Sequence, residues 1–170
     1  MRISTSIWPS FAIISLLHII ISSLTDFGPI FFIAIYPMFI ITLPSKFFPN
    51  KALILAFIIG ITADFFSSTL YGIHSASLVF MAFIQPLILR FFSKKDDTEK
   101  VSRIGIDQLG IKSFVFYCTT LVTIHNIAFV YIETMNWSVF YNSLFRLLLS
   151  TIINTLIIVI IEISLFSQKK

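Results

Sequence analysis

The sequence predicts an all-α membrane protein with six transmembrane helices in a single domain spanning residues 1–170. Three observations carry that prediction. Hydrophobic residues make up 57% of the 170 and charged residues only 12%, about half the charge density of an ordinary soluble domain. The hydrophobic residues gather into runs, at about 7–24, 30–43, 51–66, 73–92, 112–132 and 139–166, and about 20 apolar residues cross one hydrocarbon core. Nearly every lysine and arginine stands at the end of a run, where membrane topology wants it.

The first run follows Arg2, as a secretory signal would, but after Ser22-Ser23 comes Leu24-Thr25-Asp26-Phe27, with no small-residue cleavage site. A retained helix is expected. Asp26-Phe27-Gly28-Pro29 ends it. The second run, 30–43, is short for a span and is broken by Pro37; Pro44-Ser45-Lys46 and Pro49-Asn50 bracket the loop after it. Gly72 marks a tight turn between the third and fourth runs. In the fourth, Gln85-Pro86 predicts a kink whose freed carbonyl needs another donor. The polar segment 93–110 is expected to be a cytoplasmic loop. None of the runs alternates with the period of a barrel strand, so helices are expected throughout.

Orientation follows from the basic residues. With the N-terminus in the cytoplasm and six spans, both ends are cytoplasmic. The inside then holds Arg2, Lys46, Lys51, Arg90, Lys94, Lys95, Lys100, Arg103, Lys112, Lys169 and Lys170, and the outside only Arg146. That asymmetry obeys the positive-inside rule. It also accounts for the net charge of +4 without nucleic acid as a partner. Cys118, the only cysteine, excludes an intrachain disulfide.

Ionisable side chains inside a span are costly, and each is a candidate functional residue. Asp64, His74, His125 with Asn126, and Arg146 come from four spans, yet all fall in the outer half of the expected bilayer. They are expected to form one polar core, with Asp64 or Glu133 pairing Arg146. Such a core can fix helix register, line a pocket for a small ligand or lipid head group, or dock a partner helix. His74, His125 and Asp64 are metal-ligating types, but the histidines share no helix and no diagnostic spacing, so no metal is expected. Ala56 and Gly60, four apart, with Ala63 and Ser67 beyond them, allow close helix approach. On the last run Arg146, Ser150 and Asn154 recur every four residues, with Glu162 further along, and that polar face is expected to point into the bundle. No phosphate-binding glycine loop, zinc-protease motif or nucleophile elbow occurs. Neither an enzyme nor a cofactor is expected.

Some of these stretches resemble a known family. Ile40-Ile41-Thr42-Leu43-Pro44, the stretch from Leu55 through Gly60 and Asp64 to Ser67, Gly72-Ile73-His74-Ser75-Ala76-Ser77, and Phe80 through Gln85-Pro86 to Arg90 are similar to the rod-shape-determining protein MreD. His125-Asn126-Ile127-Ala128-Phe129 with Glu133, and Arg146 through Ser150, resemble that family's last two spans. The likeness covers roughly residues 27 to 160, and it rests on order, spacing and size rather than on one motif. Close relatives often carry a second histidine where this chain has Asn126, which can keep a hydrogen bond.

The resemblance implies a six-helix bundle similar to the substrate-binding subunits of energy-coupling-factor transporters. It also implies a non-enzymatic scaffold for cell elongation, peptidoglycan synthesis and cell shape in the bacterial cell inner membrane. The implied partners are the single-span protein MreC, then MreB, RodA and penicillin-binding protein 2, with a homodimer left open. The alternative is a small-molecule-binding subunit of such a transporter. Those subunits dock their energising partner through alanine-x-x-x-alanine on the first span, where this chain has Ala12 followed by Leu16.

Overall fold

Where there is no water to accept a hydrogen bond, a single chain segment satisfies its own backbone only as a helix. The structure, a computed structural model, describes residues 30–44, 49–67, 70–92 and 103–165. Among them the regular structure is helical and no strand occurs. The helices are α1 (Pro37–Ile41), α2 (Pro49–Phe66), α3 (Ile73–Phe92), α4 (Ile106–Leu109), α5 (Ile111–Thr134), α6 (Trp137–Asn142) and α7 (Leu144–Leu165). Three of them, α3, α5 and α7 to Ser164, are long and apolar enough to cross a membrane. The run expected at 7–24 lies outside the described residues.

α2 packs on α3, α3 on α5, and α5 on α7, so α5 is central. α2 and α3 meet most closely at Gly60. A methyl group there would overlap Ser75 Cα and stand 2.7 Å from Ser75 N, so a bare backbone is required at that crossing. Ala56 and Ala63, one turn either side, are buried with it. The small-residue stripe expected from the sequence is therefore the α2–α3 contact. Gly72 starts the next helix at φ +98°, a conformation other residues rarely adopt.

The second apolar run is not one helix. Residues 31–35 lie outside any helix, and α1 begins only at Pro37, the proline at which the run was expected to break. As a helix, 14 residues would reach only about 21 Å. The segment lies antiparallel to α5. Phe32 stacks on Phe129, Tyr36 bonds His125, and the Ile41 carbonyl accepts from the Tyr117 hydroxyl at 3.1 Å. Every residue from Ala34 to Leu43 is buried. The short run is thus the hub of the core, with Met38, Ile40 and Ile41 against Leu78, Met81, Phe114 and Leu121.

Extended backbone at that depth needs partners, and α7 supplies them. The Phe32 N–H donates to Ser150 Oγ at 3.0 Å, and the Ala34 N–H to Asn154 Oδ1 at 3.0 Å. Asn154 Nδ2 donates back to the Phe32 carbonyl at 3.3 Å. The polar face of α7 does point inward, and its task is to replace the hydrogen bonds that a helix would have made for itself.

Two further elements differ from expectation. The polar segment 93–110 is not a loop throughout, because Ile104 and Ile106 are buried and α4 caps the start of α5. The Ile104 N–H donates to the Thr42 carbonyl, and Arg103 makes a two-pronged ion pair with buried Glu162 at 2.6 and 2.8 Å. The last run, expected to begin at 139, is divided at Ser143 into α6 and α7. On α3, Pro86 lies inside the helix and Gln85 beside it donates to the Tyr117 hydroxyl at 3.0 Å.

Candidate functional site

A carboxylate removed from water needs donors, and Asp64 finds them at the start of the next helix. Asp64 Oδ1 accepts from the His74 N–H at 2.9 Å; Oδ2 accepts from the Ser75 N–H at 3.1 Å and from Ser75 Oγ at 2.8 Å. Helix N-termini present unpaired N–H groups and a partial positive charge. Gly72, just before α3, has no side chain to cap them. Asp64 caps α3 from across the α2–α3 hairpin, ten residues away in sequence. It does not pair Arg146.

His74, placed by that cap, leads into a chain of hydrogen bonds through four elements. The Tyr36 hydroxyl meets His74 Nδ1 at 2.7 Å and His125 Nε2 at 2.9 Å. His125 Nδ1 meets Asn126 Oδ1 at 3.2 Å, Asn126 Nδ2 donates to Thr151 Oγ1 at 3.0 Å, and Thr151 Oγ1 donates to the Leu147 carbonyl at 2.9 Å. Because the Thr151 proton is committed to a carbonyl, its oxygen accepts from the Asn126 amide, which turns the Asn126 oxygen toward His125. For neutral rings, His125 then carries its proton on Nδ1 and accepts from Tyr36. The Tyr36 oxygen in turn accepts from His74 Nδ1–H. One amide thus sets the order of the chain.

Arg146 stands beside this chain and not in it. It pairs Glu133 across the α5–α7 hairpin, Nη1 to Oε2 at 2.7 Å, and its guanidinium lies 5.3 Å from the centre of the Phe32 ring. Phe32 stacks on Phe129, whose ring is 4.9 Å from that of His74. Of the residues expected to form one polar core, the structure joins Asp64, His74, His125 and Asn126 through hydrogen bonds. It connects Arg146 only through aromatic rings. Of the two pairings open to Arg146, Glu133 is the one made.

Tyr36 was not among the expected residues, although it links both histidines. Its signal was faint: it and Thr42 carry the only hydroxyls in the run 30–43, and it precedes the proline. Arg103 with Glu162, 59 residues apart, had no sequence signal as a pair.

Two features resemble chemical sites. Ser77 Oγ lies 3.3 Å from His125 Nε2, with Asn126 on the other ring nitrogen, an order of groups seen in nucleophilic sites. Here Ser77 donates to the Ile73 carbonyl at 2.7 Å, and the Tyr36 hydroxyl lies closer to the imidazole. Ser77 is also fully buried. An open groove of about 460 Å³ runs past Thr62, Asp64, Phe65, Tyr71 and Gly72. Its wall is mostly apolar, and both Asp64 oxygens are already turned to α3. A closed set of buried hydrogen bonds chiefly rigidifies the elements it joins.

Compared with protein families, curated proteins and solved structures, the chain finds no match.

Proposed function

We propose that this chain is a non-enzymatic membrane scaffold of the MreD kind. In this reading six spans cross the cell inner membrane with both termini in the cytoplasm, α2 and the segment 30–43 among them. It binds a single-span MreC-like protein and supports the wall-building machinery of cell elongation, with MreB, RodA and penicillin-binding protein 2 as the wider set of partners.

The observation that supports it most is where the resembling stretches meet. Gly60, Asp64, Gly72, His74 and Ser75, which carry the likeness to MreD, form one locked hairpin in which Gly60 admits Ser75 and Asp64 caps α3. The polar residues are engaged with one another, as a rigid framework for partners needs.

Cross-linking in membranes, followed by recovery of the chain, tests the proposal. Capture of an MreC-like single-span protein is expected; if none is recovered, the assignment fails. A cysteine at Thr98 is expected to be labelled only from the cytoplasmic side. The transporter-subunit reading has one observation in its favour, the groove beside Asp64. Co-purification of a vitamin-like ligand would support it over the scaffold.

A further inference from the structure

The corner joining α5 to α7 exposes an aromatic group that is left open among the described residues. Met135, Trp137, Tyr141 and Phe145 are each more than 60% exposed, and no residue of α6 is buried. The rings are not loose. Tyr131 and Trp137 lie 4.9 Å apart between centroids, and Phe140 packs edge-on against Trp137 at 5.9 Å and Tyr141 at 6.1 Å.

Three observations identify what faces them. First, the corner satisfies much of its own backbone. Asn136 Oδ1 accepts from the Ser138 and Val139 N–H groups, the Met135 N–H donates to the Tyr131 carbonyl, and the Ser143 N–H and hydroxyl both donate to the Val139 carbonyl. Caps of this kind also form in water; here they leave fewer backbone groups in need of it, as a water-poor interfacial layer requires. Second, residues 134–145 carry no charge, and the flanking Glu133 and Arg146 neutralise each other. That suits neither an acidic nor a basic partner. Third, among the described residues the Trp137 indole N–H and the Tyr131 and Tyr141 hydroxyls make no hydrogen bond. Such rings, apolar in body and polar at the tip, suit the layer where acyl chains meet the head groups, whose ester carbonyls accept hydrogen bonds.

We propose that the corner 135–143 seats in the glycerol–headgroup layer of the bilayer and that its ring group fixes the depth of the α5–α7 hairpin. This rests on the membrane reading alone and stands whichever partner the scaffold binds.

Trp8 and Trp137 are the only tryptophans, so Trp8→Phe leaves Trp137 as the sole indole reporter. The protein is placed in phosphatidylcholine vesicles containing lipid brominated near either the carbonyl end or the methyl end of the acyl chain, and aqueous iodide is the third quencher. The expected result is that carbonyl-end bromine removes most of the Trp137 emission, with methyl-end bromine and iodide each removing much less. Dominant iodide quenching would place the corner in water. Dominant methyl-end quenching would place it in the hydrocarbon. Quenching by none of the three would mean that another copy or a partner covers it. Each of these three overturns the proposal. Should Trp8→Phe fail to fold, Trp137→Phe in the otherwise unchanged chain gives the same reading, as the carbonyl-end quenching lost.

Discussion

Replacing Asn154 with leucine tests whether extended backbone in this bundle depends on two side chains of α7. The substitution keeps the number and branching of the side-chain heavy atoms but leaves the Ala34 N–H and the Phe32 carbonyl without their partner. Each buried group so orphaned costs about 1–3 kcal/mol, an upper figure of about 6 kcal/mol for the two. Hydrogen bonds between helices in lipid average nearer 0.6 kcal/mol, because the unfolded chain finds other partners there. Phe32 and Ala34 lie outside any helix, so the expected loss is about 2–4 kcal/mol. Ser150→Ala orphans only the Phe32 N–H, and about half that loss is expected. Reversible unfolding in mixed micelles with increasing dodecyl sulfate measures both, and hydrogen exchange at the Ala34 amide reports the local event. An Asn154→Leu protein within about 0.5 kcal/mol of wild type, with Ala34 still protected, would refute the reasoning.

Other substitutions probe the remaining contacts. Gly60→Val forces apart the backbones of α2 and α3 and should cost about 1–3 kcal/mol by over-packing, whereas Ile61→Val, on an exposed position of the same helix, should cost little by the same unfolding measurement. Arg103→Ala strands Glu162 at 2% exposure, with an expected loss of about 3–5 kcal/mol; adding Glu162→Gln should recover part of it, and a double-mutant cycle showing no coupling would contradict the pair. Tyr36→Phe removes the hydroxyl between the histidines. It should lower stability by about 1–3 kcal/mol and shift the nitrogen resonances of both His74 and His125; movement of one ring alone would break the link drawn between them.

The sequence made some of this legible and hid the rest for physical reasons. The polar face of α7 could be read because Arg146, Ser150 and Asn154 recur at helical spacing. What Ser150 and Asn154 touch could not, since it is backbone, which looks alike at every position. The run 30–43 gave its break at Pro37 but not its extended half, because a short apolar run has the same composition in either conformation. Asp64 could be singled out as a costly carboxylate. Its donors are the amides of His74 and Ser75, which leave no mark on residue identity, so the sequence left Asp64 and Glu133 equally open as partners of Arg146. Arg103 and Glu162 meet only because the stretch ahead of α4 lies against α7, with Gly105 beside the Glu162 carboxylate, and that is a property of the tertiary fold.

On the scaffold reading proposed above, the buried polar core holds the bundle together and a partner binds elsewhere on it. Asp64→Ala tests this most directly, with folded yield in detergent and affinity of the folded fraction for an MreC-like span measured side by side. A clearly lower yield with an unchanged Kd is expected. Wild-type yield with binding lost would contradict it and make Asp64 a docking residue.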